Sequence, residues 1–156
     1  MVGQITGAHG TGKSTLLTHV ARRARERKWA VAESRPPNVA WPAWSGKSEG
    51  TTPRRMACID SADQMSRARW ELVKARARAT RVILLLTTHR DLGGVDVAQP
   101  AMNVQIARRV LERMTQAWSI ALPSDDELAT MLQRHNNSLR HVIFELYDRF
   151  ERGWPW

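Results

Sequence analysis

The residues with the clearest chemistry are Gly7-Ala8-His9-Gly10-Thr11-Gly12-Lys13-Ser14. Their spacing is G-x-x-x-x-G-K-S, a phosphate-binding pattern. Glycines at 7, 10 and 12 admit backbone angles and close approaches that a side chain blocks. The chain can then wrap an anion with its N–H groups pointing inward. A helix beginning near Lys13 adds unpaired N–H groups and the positive end of its dipole. Lys13 supplies a point charge for outer phosphates. Ser14 supplies a hydroxyl for Mg²⁺, which takes oxygen ligands and binds together with substrate phosphates. His9, Thr11 and Thr15 complete the set expected at the phosphates, although any residue type is allowed at position 9. A second Gly46-Lys47-Ser48 is a decoy, because Trp41 stands where the first glycine belongs and no strand precedes it.

A phosphate loop binds, but the reaction depends on what faces it. Met56-Ala57-Cys58-Ile59-Asp60 is an apolar strand ending in a carboxylate, the Walker B arrangement, and Asp60 is placed to hold Mg²⁺ with Ser14. Ser61 follows it, where many motor-like ATPases carry a catalytic Glu. Asp63 is the nearest other carboxylate, and two roles stay open for it: general base toward an attacking water, or cap of the helix that follows. Thr87-Thr88-His89 ends a further apolar strand, where a hydroxyl such as that of Thr88 can touch an outer phosphate or the water. The other histidines, His19, His135 and His141, show no metal-ligand spacing.

The elements that must position these groups follow from periodicity. Residues 2–6 read as a strand, and 13–27 as a helix with Leu16, Leu17, Val20, Ala21 and Ala24 on one stripe. Residues 29–33 read as a second strand. The Pro- and Gly-rich stretch 34–55 fits no long helix; Trp41 and Trp44 either pin it to the body or stack on a base. Residues 66–79 favour helix on the propensities of Ala, Arg and Lys. The run 82–88 predicts a strand buried on both faces, as in a parallel sheet. A fifth strand falls within 95–104, and a helix carrying Ala107, Val110, Leu111, Met114 and Trp118 spans 104–118. Ser124-Asp125-Asp126-Glu127 is a capping box. Leu139, Val142, Ile143, Leu146 and Phe150 mark a last helix closed by Gly153. The expected organisation is a nucleotide-binding core over 1–118 and a helical, lid-like extension over 119–156.

Composition bounds the rest. At 156 residues the chain can bury one domain's core. Its single Cys58 excludes a disulfide scaffold, no apolar run approaches a membrane span, and a cytoplasmic location is the default expectation. The net charge is +9, with 20 Arg among 24 basic residues. A basic surface for nucleic acid is one reading. GC-rich coding is the other, since it favours Arg, Ala, Trp and Gly together. Non-specific nucleic-acid binding at low salt remains open in both.

The quoted motifs resemble those of the P-loop NTPases of the additional-strand class, and within them the AAA-type and related signalling ATPases. Gly7–Ser14 match Walker A, Met56–Asp60 match Walker B, and Val82–Thr88 match the strand bearing the sensor 1 residue, with Thr87 or Thr88 in that role. Asn136–Ile143 is similar to the start of the lid helix carrying the sensor 2 arginine, which puts Arg140 there; a solvated helix arginine is the other reading. No guanine-recognition motif is present, so the resemblance implies ATP with Mg²⁺. It implies an α/β, three-layer P-loop fold with a mostly parallel sheet. The expected activity is slow Mg-dependent ATP hydrolysis used as a conformational switch, with nucleotide as the ligand and a protein partner or self-association left open. Lys13, Asp63, Thr88 and Arg140 are the expected catalytic residues. Two other functions fit the same motifs: a small-molecule kinase binding its acceptor near Glu33 and Arg35, and a nucleotide-gated module binding protein or nucleic acid.

Overall fold

The computed structural model describes residues 1–42, 54–117 and 120–153. Trp44, Gly46-Lys47-Ser48 and Trp118 lie outside these residues. The chain divides into two compact units, Met1–Gly7 with Gly12–Pro100, and Ala8–Thr11 with Ala101–Trp156.

The first unit is an α/β layer structure around a five-stranded, all-parallel sheet. In chain order it holds β1 (Val2–Thr6), α1 (Lys13–Glu26), β2 (Ala30–Ser34), β3 (Arg55–Ile59), a 3₁₀ turn (Ala62–Gln64), α2 (Arg67–Ala79), β4 (Ile83–Thr88) and β5 (Val95–Ala98). The spatial order is β2-β3-β4-β1-β5. Alternation along the strands divides the apolar side chains between two faces. Ile5, Met56, Cys58 and Leu85 pack on Leu17, Ala21 and Ala24 of α1. Ala57, Ile59, Leu84 and Leu86 pack on Trp70, Val73 and Ala77 of α2. Both faces of the central strands are therefore covered, as their unbroken apolar sequences require. Burial pushes the Cys58 thiol up to about 12, with the nearby Glu33 carboxylate adding to it, so this cysteine is an inert core residue.

The residues that look weakest as sequence turn out to be well anchored. Gln4 is buried, yet its amide donates to Asp91 and Asp96, each at 2.9 Å, and accepts from the Leu92 N–H. It thereby clamps the turn between β4 and β5. Trp41 packs against the α2 side of the core with the Arg76 guanidinium 4.6 Å above its ring. Its face is committed to α2, which favours the pinning role over base stacking.

Helices α3 (Val104–Thr115), α4 (Asp125–Arg134) and α5 (Leu139–Glu151) share a separate core in the second unit, built on Ala107, Leu111, Leu128, Met131, Leu132 and Val142. The expected division at 118/119 thus moves to 100/101, because the apolar stripe of α3 is buried with α4 and α5. The capping box forms: Ser124 accepts from the Glu127 N–H, and the Glu127 carboxylate accepts from the Ser124 N–H. Charge divides unevenly along the sequence. Residues 1–100 hold 17 of the 24 Lys and Arg against 8 of the 15 Asp and Glu, and residues 101–156 hold 7 of each. The whole net charge of +9 therefore lies in the first hundred residues, where an anionic ligand gains from it. Among the described residues no helix is long and apolar enough to cross a membrane.

Losing the Ser124 cap leaves a first-turn N–H without its acceptor. Ser124→Ala is expected to lower unfolding free energy by about 1 kcal/mol, and Ser124→Asp to restore most of it. Chemical denaturation of the full chain measures both.

Candidate functional site

Parallel register gathers the site. Thr6 lies level with Thr88, Leu86 with Ile59, and Ile59 with Ser34. The residues that follow β1, β2, β3 and β4 are Gly7, Arg35, Asp60 and His89, so all four emerge at the same edge of the sheet. These carboxyl ends are where ligands bind in open α/β sheets.

Asp60 is the centre of the cluster. It is 7% exposed, and both carboxylate oxygens are engaged. Oδ1 accepts from the Ser14 hydroxyl at 2.7 Å and from the Thr87 hydroxyl at 2.6 Å. Oδ2 accepts from Arg35 Nε at 2.8 Å and from a terminal guanidinium nitrogen at 2.6 Å. Burial pushes the carboxyl upward, but the hydrogen bonds from Thr87, Ser14 and Arg35 outweigh it and hold Asp60 below its ordinary value. Ser61, next in the chain, sits at φ 59°, a left-handed conformation that non-glycine residues seldom adopt. Its N–H donates to Thr87 Oγ1 at 2.8 Å. Thr87 is therefore locked between Asp60 and Ser61.

Lys13 opens α1 and is buried. Its ammonium donates to the Gly7 carbonyl at 2.8 Å and lies 3.3 Å from His89 Nδ1, which is itself 3.0 Å from the same carbonyl. Desolvation lowers the Lys13 pKa, against the opposing pull of the Asp63 and Asp60 charges. Gly12 precedes Lys13 at φ 90° and provides no side-chain cap, leaving the start of α1 suited to an anion. Ser14 and Thr15 are exposed on this first turn.

Asp63 lies on the 3₁₀ turn, close enough to Lys13 for its charge to oppose the desolvation of the ammonium. Its Oδ1 is buried and has no hydrogen-bond partner among the described residues. The capping role does not belong to it, because Ser66 caps α2 by accepting from the Arg69 N–H. Thr88 is fully buried and turns elsewhere: its hydroxyl donates to the Arg90 carbonyl and accepts from the Arg90 N–H. Thr87, rather than Thr88, faces Asp60. Arg90 in turn donates to the Asp63 carbonyl at 3.2 Å.

The tip of the loop belongs to the second unit and holds its own shape. Thr11 donates to the Ala8 carbonyl at 3.0 Å. Gly10, at φ 74°, packs on Ser138, the N-cap of α5; a Cβ there would come within 2.4 Å of Ser138 Oγ. His9 is exposed. Arg140 lies on the exposed face of α5 with its guanidinium 6.0 Å above the Phe144 ring.

The donor set suits a hard cation held jointly with a ligand. Ser14 and Asp60 offer hydroxyl and carboxylate oxygens side by side, the set Mg²⁺ uses when phosphates supply further ligands. Among the described residues no group of three or more His, Cys, Asp or Glu could hold a metal alone. Arg35 is the site residue that sequence reasoning missed, having been noted only as a neighbour of a kinase acceptor. The available signal was its place one residue beyond β2, level with the end of β3. No family model matches the chain, and no curated protein matches it in sequence.

Because Asp60 is held below its ordinary value, the stability it contributes is present above the unfolded carboxyl's pKa and is lost as pH falls through the folded one. Asp60→Asn is expected to melt below the wild type at neutral pH, with the gap closing under increasingly acid conditions. Thermal unfolding across that range measures it; a gap independent of pH would contradict the ionised, hydrogen-bonded Asp60 described above.

Proposed function

We propose that this chain binds Mg·ATP and hydrolyses it slowly, as a conformational switch of the additional-strand P-loop kind. The observation that carries the reading is the convergence of Lys13, Ser14, Asp60, Thr87 and Asp63 at the carboxyl ends of the strands in one unit. The strand order supports it, because β4 lies between the loop-bearing β1 and the acidic β3.

The roles follow from the contacts. The loop backbone from Gly7 to Ser14 receives the phosphates, and Lys13 exchanges the Gly7 carbonyl for a phosphate oxygen. Ser14 and Asp60 would hold Mg²⁺, which when bound draws negative charge from the outer phosphates. Asp63 is the base: its unpaired Oδ1 is the free acceptor for a proton from an attacking water. The water oxygen bonds to the γ-phosphorus, the bond to the bridging oxygen breaks toward ADP, and the water's proton passes to Asp63. Thr87 keeps the Asp60 carboxylate turned toward Ser14 while this happens. Gly10, in the second unit, lies against Ser138 at the start of α5.

With Ser61 in place of a carboxylate directly after Asp60, turnover should be well below the ~10 s⁻¹ of a typical enzyme. Asp63→Asn should cut phosphate release about a hundredfold while ATP affinity holds. Asp60→Asn should instead lose the Mg²⁺ dependence of binding. Steady-state phosphate release with parallel binding curves tests both. Wild-type turnover in Asp63→Asn would remove Asp63 from the reaction, and phosphate transfer to an added hydroxyl compound in place of release would favour a kinase.

A further inference from the structure

Asp60 carries more partners than a metal-linked carboxylate can keep. An ionised carboxylate offers about four lone-pair sites. Ser14 and Thr87 take Oδ1, and Arg35 takes Oδ2 with two N–H groups. Mg²⁺ gives up its waters reluctantly, and those waters need carboxylate acceptors. The Ser14 and Thr87 bonds are compatible with a cation at Ser14, since each hydroxyl still has lone pairs to spare. The Arg35 bonds are not. They occupy the remaining oxygen, and the guanidinium puts a positive charge on the same carboxylate that a divalent cation would share, where like charges repel.

Arg35 is also built to leave. Its side chain is 73% exposed, although its head group is on a buried acid. It follows the last residue of β2, outside the helices that frame the sheet, and its backbone pairs with Asn38 in an isolated bridge. Most of its stem is in solvent and needs no repacking when the head group moves.

We infer that Arg35 and a divalent cation compete for Asp60, so that Arg35 sets the Mg²⁺ concentration at which the site engages nucleotide. The inference rests on the Mg·ATP reading for its nucleotide part alone; the competition for Asp60 is a property of the protein and cation. In this role Arg35 is a positioning residue acting through Asp60.

The test uses the full chain with a fluorescent ATP analogue, titrated with MgCl₂ and separately in EDTA, and Mn²⁺ binding to the protein alone by electron paramagnetic resonance. Relative to wild type, Arg35→Ala should lower the half-saturating Mg²⁺ about threefold or more and tighten Mn²⁺ by a similar factor. Arg35→Lys, which keeps the charge but loses the double contact, should fall between. Thermal unfolding of each variant establishes that it is folded. An unchanged or raised Mg²⁺ midpoint in folded Arg35→Ala, with unchanged Mn²⁺ affinity, overturns the competition and leaves nucleotide binding standing. Tighter Mn²⁺ in that variant, with no analogue bound by any form of the protein, supports the competition and sinks the Mg·ATP reading instead.

Discussion

The site depends on one buried carboxylate. Asp60 sits where four segments meet: Ser14 reaches it from α1, Thr87 from β4, Arg35 from beyond β2, and its own chain from β3. A charge at this depth is costly unless it is paired and hydrogen-bonded. That requirement constrains everything around it. The strands must be parallel and level for the partners to arrive together. The same carboxylate fixes Thr87, and Thr87 fixes the Ser61 backbone.

The electrostatics are divided between two poles. Asp60 is kept ionised by donors on both oxygens, while Lys13 is partly desolvated and leans on the Gly7 carbonyl. Asp63 lies near Lys13 with a buried oxygen that nothing in the described protein satisfies. Buried polar groups without partners are rare in folded proteins, and they collect where a ligand or water completes the site.

Much of this arrangement could be read from the sequence, and the omissions have physical causes. The glycines, Lys13, Ser14 and Asp60 declare themselves because their residue types and spacing form a recognisable pattern at the ends of β1 and β3. The apolar runs of β1, β3 and β4 mark those strands, whereas β5, exposed over most of its length, is placed only within 95–104. The choice between Thr87 and Thr88 does not, because at a strand end the two neighbours point opposite ways and only the β3–β4 register decides which meets Asp60. Arg35 was hidden for a related reason: 25 residues separate it from Asp60, and their meeting is a consequence of β2–β3 pairing. Asp63 and Ser66 both suit a helix start, and the chain puts the cap on Ser66. The stripe of α3 tells that a face is buried but not against what, and its partners are α4 and α5.

Ala8–Thr11 belong to the second unit, with its three helices. All of this presumes that the loop takes phosphate, and the most direct measurement is calorimetric titration of Mg·ATP into the wild type and into Lys13→Met. Methionine retains an aliphatic stem in a position that is 8% exposed and removes only the ammonium. The account predicts saturable binding by the wild type and an affinity at least about tenfold weaker in the folded variant, the loss of a charge-assisted contact. Equal affinities, or no binding by the wild type, would contradict it.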